Sequence, residues 1–458
     1  MNKKVFFRYL AMATLFFMVA IVSSCKKELC SVTFISDDNI VFQFEVLKGS
    51  KLSAPVIQPN QYYDKEHIFG GWFTDREFNN IWNFATNLVE KNITLYAKWV
   101  KKDVMFTVTF IDDGNVFDTI SVVYGSKLPD SYMNITKEGY TFFGWFTDIN
   151  FYYIWDFTNG IVTEDVKLYS RWKWGMRKVD FIGDGRYGAV GFSIGNKGYI
   201  GTGFCDSYYC VQDFWEYDPA ANRWTQKANF AGGDREYAVG FSIANKGYIG
   251  TGSNRTTGNA YCDFWEYDPV SNTWTKKADF EGGYRYCAVG FSIDNKGYIG
   301  TGEGSSDFWE YDPATNKWTQ KANFAGVNRW GAVGFSIENK GYIGSGYNGN
   351  YLNDFWEYDP VSNTWTKKTN FAGENRIWAV GFSIGNKGYI GPGNNDYYVD
   401  DLSYFWEYDP VSNSWTKKAD FAGGFRYYAV GFSIGNKGYI GTGNNWSAYV
   451  NDFWELIP

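Results

Sequence analysis

The sequence predicts an all-β chain dominated by a six-bladed β-propeller and preceded by two small β modules, and three observations carry that prediction. The block Ala-Val-Gly-Phe-Ser-Ile begins at Ala189, Ala238, Ala288, Ala332, Ala379 and Ala429, so a unit of 44–50 residues occurs six times. Upstream, a different set of five short blocks occurs twice in the same order. The 458 residues are 45% hydrophobic and 21% aromatic, with 51 Gly and only 10 Pro, enough apolar surface to order most of the length and to exclude a mainly disordered chain.

Residues 1–24 read as a processing segment. Lys3, Lys4 and Arg8 precede an apolar run from Leu10 to Val22, too short and wrongly flanked for a membrane-spanning helix. The ending Val22-Ser23-Ser24-Cys25 resembles the bacterial lipobox, which implies cleavage before Cys25 and acylation of that residue. A lipid-anchored protein of the bacterial cell envelope is expected, at the outer membrane, with the periplasmic or exterior face left open. Several acyl chains hold a protein firmly, since each buried methylene contributes about 0.8 kcal/mol. Without the segment the chain has 40 basic and 50 acidic residues, a net charge of −10, and lacks a general basic footprint for nucleic acid. Export makes disulfides permissible. Cys205 and Cys210 flank a short loop and are the expected pair; Cys262 and Cys287 are a second possible pair, and Cys30 is then left over.

After a short tether (25–29), two modules are expected at residues 30–100 and 105–173. Val32-Thr33-Phe34 recurs as Val108-Thr109-Phe110, Gly49-Ser50-Lys51-Leu52 as Gly125-Ser126-Lys127-Leu128, and Gly71-Trp72-Phe73-Thr74-Asp75 as Gly144-Trp145-Phe146-Thr147-Asp148. Trp82-Asn83-Phe84 matches Trp155-Asp156-Phe157, and Leu95 to Trp99 matches Leu168 to Trp172. Short alternating runs separated by turn residues suit a small β module. The pattern resembles the Listeria–Bacteroides repeat, a β-grasp-like module of bacterial surface proteins, which implies spacing and adhesion rather than catalysis. Its Trp and Phe positions read first as core.

The propeller is expected over residues 174–458. In the first copy, Ala189–Ile194 reads as strand one, Tyr199–Gly203 as strand two, Phe214–Asp218 as strand three, and a run from Trp224 as strand four. Ala189, Gly191 and Ser193 fall on one face of strand one, so that face permits close approach. The sixth copy ends after its third strand, while Trp174 to Phe181 resembles Trp224 to Phe230. The N-terminal strand Trp174–Val179 is therefore predicted to complete the last blade.

The Gly-bearing second strand, the Tyr-Asp pair and a Trp six residues beyond that Asp resemble the kelch motif of the kelch and galactose oxidase superfamily. The usual double glycine is Gly-Thr-Gly here, Gly344-Ser345-Gly346 in blade four and Gly391-Pro392-Gly393 in blade five. Function is sought where the copies differ. The stretches between strands two and three are rich in Tyr, Asn, Ser and Gly, as in adaptable recognition loops. They should share a face with the blade connections, each of which carries an Arg: Arg186, Arg235, Arg285, Arg329, Arg376 and Arg426. Six guanidinium groups around one mouth would suit carboxylates, as the resemblance to acidic-ligand kelch propellers implies. In the alternative role each Arg ties connections together through carbonyls or the repeated Glu. Tyr187, Tyr286, Trp330, Trp378, Tyr427 and Trp446 are candidate stacking surfaces.

A single histidine, His67, excludes histidine-dependent chemistry from the propeller, including copper chemistry of the galactose oxidase kind. Asp206, Asp234, Glu303 and Asp396 fall on the expected face, and nothing in the sequence tunes one as an acid or base. Asp396, Asp400 and Asp401 lack the spacing of a known calcium loop. No metal or other cofactor and no catalytic residue is expected. The expectation is a monomeric envelope-anchored binding protein for a protein or glycan ligand. The alternatives are an enzyme acting on acidic sugars, resembling a sialic acid mutarotase, and a purely structural surface protein.

Overall fold

A computed structural model of the chain describes residues 28–36, 38–55, 67–84, 86–101, 103–205, 209–395 and 402–458. The expected signal segment and Cys25 lie outside the described residues, as do Asp206, Asp396, Asp400 and Asp401. The chain divides into two compact units. Unit 1 comprises residues up to Phe110 with Val116–Leu128 and Asp156–Lys167; unit 2 comprises Ile111–Asn115, Pro129–Trp155 and Leu168–Pro458.

Unit 1 contains the first module. Strands β1 (Leu29–Ser36), β2 (Asn39–Leu47), β3 (His67–Phe73) and β4 (Ile93–Lys101) form one sheet in the order β2-β1-β4-β3. β1 runs antiparallel to β2 and parallel to β4. Alternation along β1 sends Cys30, Val32 and Phe34 to one face, where they are buried with Leu52, Trp72, Trp82, Val89 and Leu95. Phe34 meets Trp72 edge-on at 4.7 Å. These repeated aromatics are core. The second module has strands at matching positions, β5 (Met105–Asp112), β6 (Asn115–Val123), β7 (Tyr140–Phe146) and β8 (Val166–Trp174), and its segments fall in both units. Within unit 2, β7 pairs antiparallel with β8 and buries Trp145.

The rest of unit 2 is the propeller: among the described residues of 174–458 there are six four-stranded sheets. Blade one runs Val190–Ile194, Lys197–Gly201, Phe214–Asp218 and Arg223–Gln226, each strand antiparallel to the next. The sixth blade draws its fourth strand, β9 (Met176–Arg177), from the other end of the sequence, with Trp454 opposite Arg177 and Glu455 opposite Met176. This strand is shorter than the predicted Trp174–Val179, because Trp174 still belongs to β8 and Gly175, at φ +115°, turns the chain between the two. The Trp174 indole nonetheless fills the gap between blades five and six. Its ring lies 5.2 Å from that of Phe405, and its Nε1 donates to the Ile457 carbonyl at 2.6 Å.

Neighbouring blades interlock through the small face of each inner strand. A Cβ built on Gly240 would lie 2.8 Å from Val190 Cβ, and one on Gly247 would lie 2.5 Å from a Phe192 ring carbon. The same holes take Val430 at Gly191 and Phe432 at Gly198, so blade six packs on blade one as blade one packs on blade two. The small face thus serves close contact between blades. Hydrogen bonds reinforce the gaps: Trp274 Nε1 donates to the Ala228 carbonyl and the Ala228 N–H to Asn272 Oδ1.

Replacing Trp174 by Ala is expected to destabilise the protein by about 3–5 kcal/mol, the range for emptying a buried Trp site. Urea unfolding checks this, with the exposed Trp446→Ala variant changing stability by less than about 0.5 kcal/mol.

Candidate functional site

Backbone pairing brings the variable segments onto one face. The residue next to the blade Arg bridges the segment that follows strand two in blades two, four, five and six, through Glu236–Ser253, Trp330–Tyr347, Ile377–Asn394 and Tyr427–Asn444. Blade one does the same through Arg186–Cys205 and Tyr187–Phe204.

The six residues preceding the conserved Ala encircle the axis at this face. Gly188, Tyr237, Cys287, Gly331, Trp378 and Tyr428 all have φ between 54° and 62°. The N–H of each donates to the carbonyl of the one before it, at 2.8–3.3 Å, and the Gly188 N–H donates to Tyr428, closing the circuit. Left-handed geometry at four non-glycine residues is strain held by the surrounding ring. Tyr237, Trp378 and Tyr428 lie over the mouth, with Trp378 and Tyr428 stacked at 4.3 Å. Burial pushes the phenols of Tyr237 and Tyr428 far above their ordinary range.

From this plug an aromatic surface spreads across blades four to six and one. Trp330 lies 5.6 Å from Trp378, Trp378 5.9 Å from Tyr427, and Tyr427 5.0 Å from Trp446. Trp446 is 56% exposed and stacks parallel to Phe425. A cleft of about 310 Å³ opens between Tyr187, Tyr237, Arg255, Tyr427, Tyr428 and Tyr449. Glu236 borders this region, only 1% exposed, with Oε1 accepting from Arg255 Nε at 3.1 Å and Oε2 lacking a hydrogen-bond partner among the described residues. Burial raises its carboxyl above the usual range, against the pull of Arg255. A second cleft of similar volume holds Tyr286, Glu303 and Trp330.

Of the predicted stacking residues, Tyr286, Trp330, Trp378 and Tyr427 are half-buried on this face and Trp446 is exposed. Tyr187 is 5% exposed and packs against Phe204 and Tyr449. Glu236 and Arg255 were missed by sequence reasoning. A signal existed: the residue after the blade Arg is Tyr187, Glu236, Tyr286, Trp330, Ile377 and Tyr427 in turn, so one blade alone carries a charge there.

The arginine ring requires correction. Arg186, Arg235, Arg285, Arg329, Arg376 and Arg426 are 0–4% exposed and turn away from the mouth into the blades. Each guanidinium lies 4.7–5.0 Å from a Phe ring, those of Phe181, Phe230, Phe280, Phe324, Phe371 and Phe421. Five of them fork onto an Asp just before strand three: Asp213, Asp263, Asp307, Asp354 and Asp452. The same Asp accepts from the Trp two residues on, as Asp354 does from Trp356 Nε1 at 2.8 Å. These arginines are structural ties through Asp and carbonyl oxygens. The repeated Glu instead accepts from a Tyr, as Glu216 does from Tyr199 at 2.6 Å.

The expected disulfide is also corrected: Cys205 and Cys210 both stand as thiols. Cys210 bridges Phe204 across the turn and packs with it and Tyr187, so the neighbouring Cys205 alternates to the other face. Burial pushes the Cys210 thiol up to about 11.

Comparison with known proteins agrees with this architecture. Residues 31–98 and 106–171 match the Listeria-Bacteroides repeat domain, and residues 341–371 match the Kelch motif. The chain is 34% identical over 141 residues to an Evansella cellulosilytica protein named provisionally as a membrane protein, covering 29% of this chain and 21% of that one. It is 32% identical over 116 residues to Internalin H of Listeria monocytogenes, covering 25% and 20% respectively. It thus spans about a fifth of the length of these relatives. The solved structure of YjhT aligns with a TM-score of 0.53 at 17% identity, over 61% of this chain and 97% of that one, a likeness of fold alone.

Asp354→Ala leaves the Arg329 guanidinium buried without its carboxylate, and a loss of about 3–5 kcal/mol is expected by chemical denaturation. The pH dependence has a definite sign. Burial pushes the carboxyls of Asp213, Asp307, Asp354 and Asp452 up, but hydrogen bonds from Arg and Trp outweigh it and hold them below the usual range. Their contribution is therefore complete above the unfolded value of about 3.9 and is lost as pH falls through the lower folded values. Acid unfolding below about pH 4 should be shallower in Asp354→Asn than in the parent.

Proposed function

We propose that the chain is a bacterial cell-envelope binding protein whose propeller face takes a glycan, with the two N-terminal modules as spacers. One observation carries this reading: Trp330, Trp378, Tyr427 and Trp446 form a nearly continuous aromatic surface beside a cleft lined by Arg255, which is held by the buried Glu236 behind it. Sugar rings present flat C–H faces that stack on such surfaces and hydroxyl edges that pair with a carboxylate or guanidinium. The Listeria-Bacteroides repeats and the likeness to Internalin H support envelope association, and the lipobox at Cys25 supplies the means of anchoring. The engagement of five blade arginines by Asp argues against a ring for acidic sugars.

Glu236, buried behind Arg255 at the edge of this cleft, favours a second reading, sugar turnover there. A buried carboxyl with a raised protonation range and one oxygen without a partner among the described residues is suited to moving a proton.

Trp446→Ala and Trp330→Ala should each weaken binding by about tenfold or more, as for interface anchors, while melting temperature stays within about a degree; Arg255→Ala should weaken binding as much and also lower the melting temperature, because Glu236 is left buried without its partner. A glycan array followed by calorimetry on the best-bound glycan checks this. Binding only to envelope proteins, unaffected by these changes, would replace the glycan reading. NMR turnover of that glycan, abolished by Glu236→Gln with binding retained, would establish the enzyme.

A further inference from the structure

Blade five departs from the arginine–aspartate pattern at one position. Where the other blades have Asp213, Asp263, Asp307, Asp354 and Asp452 before the Phe-Trp pair, blade five has Tyr404. Arg376 keeps the pose of its counterparts: Nη1 donates to the Gly391 carbonyl at 2.8 Å, Nε to the Glu374 carbonyl at 3.1 Å, and the guanidinium lies 5.0 Å from Phe371. In blade four, Arg329 donates from Nη1 to Ser345 and from Nε to Val327 in the same manner. The guanidinium edge that grips a carboxylate elsewhere is therefore turned the same way in blade five.

The two donors that share one Asp oxygen in the other five blades are both buried without a hydrogen-bond partner among the described residues: Arg376 Nη2 and Trp406 Nε1. They face the same part of the blade, with the Trp406 indole shifted toward the place that Nη2 holds in the other blades. The indole nitrogen stands beside Gly373, 2.7 Å from the place of its absent Cβ, where the arginine Nη2 stands beside the equivalent glycine in the other blades. Buried donors are normally satisfied, and a cation all the more so. Arg376 is fully buried, and burial pushes its guanidinium down to about 10. Among the described residues, the nearby charges do not replace the Asp. Lys417 Nζ lies 3.7 Å from the Tyr404 ring centroid, Glu374 is exposed and offers Arg376 its backbone carbonyl, and Asp420, opposite Tyr404, is engaged by Arg171 at 2.9 Å.

We propose that Arg376 and Trp406 form a docking site for a carboxylate group carried by a ligand on this face of blade five. The five intact blades define the binding geometry: one oxygen between Nη2 and the indole N–H, the other toward Nη1, a charge-assisted fork. In the five intact blades that place is open to solvent at its edge, the Asp side chains retaining 17–22% exposure. Tyr404 covers it in blade five, 4% exposed with its ring 5.3 Å from the Arg376 guanidinium and its hydroxyl in hydrogen-bonding contact with that group, and a rotamer change that gives up this contact for a ligand carboxylate admits the ligand. This site is independent of the aromatic surface.

The test uses the folded chain with 15N-labelled tryptophan indoles and sodium formate as probe, at constant ionic strength with chloride as comparison. The Trp406 indole resonance, identified by its loss in Trp406→Phe, should move downfield and saturate with formate but not with chloride. The indole resonances of Trp215, Trp265, Trp309, Trp356 and Trp454 should stay still, their acceptors being already in place. Tyr404→Asp, which supplies the blade's own carboxylate, should move the Trp406 resonance toward those five and abolish the formate response. A wild-type Trp406 resonance indifferent to formate, or one that moves equally with chloride, overturns the proposal whether or not the variant folds.

Discussion

The insertion of one blade's Val and Phe into the glycine-lined face of the next is the contact on which the propeller depends. Phe192, Phe241, Phe291, Phe335, Phe382 and Phe432 each lie against a glycine of the following blade's second strand, Phe432 returning to Gly198. Only glycine leaves the room, because a Cβ at these places would sit 2.4–2.5 Å from a ring carbon. Each Phe buried this way contributes about 1.5–3 kcal/mol, and the cycle leaves none of the six inner strands without a neighbour on either side. The arrangement also demands that the last blade be complete, which is why Met176–Arg177 and Trp174 matter to a domain whose other strands come much later in the chain.

Repetition and function are separated in space. The residues present in every blade, the buried Arg on its Phe and the partly buried Glu with its Tyr, are consumed by their own blade or its neighbour. Residues that occur once or twice gather at the axial mouth and the loops around it. Glu236, Arg255, Trp378 and Trp446 are of this kind, and Tyr404 is the one residue that breaks an otherwise structural pattern. A ring of backbone hydrogen bonds through left-handed residues holds this mouth, so its aromatic side chains sit on a rigid base.

How far the sequence reached differs between scaffold and site. The strand order of each blade, the number of blades and the origin of the sixth blade's outer strand were legible, because each blade restates the same alternation and Trp174 to Phe181 resembles Trp224 to Phe230; exact bounds were not, since strand two begins at Lys197 rather than Tyr199. The core role of Trp72 and Trp145 was legible for the same reason. The fate of Arg186 and its equivalents was not. An Arg at a connection reads as a ligand group until its partner is known, and the partner, Asp213 in blade one, lies 27 residues away, just before the third strand. The Cys205–Cys210 pairing failed likewise, since spacing does not reveal that Cys210 pairs opposite Phe204 and packs on its face of the strand, away from Cys205.

By itself, then, the sequence determined the architecture: period-two alternation and sixfold repetition are local properties, and they set which residues form strands and how many units must close together. Only the tertiary structure decided which charges are used up inside and which remain for a ligand. That decision rests on side chains distant in sequence meeting within a blade, where a carboxylate at Asp354 satisfies Arg329 and a phenol at Tyr404 leaves the Arg376 fork without one.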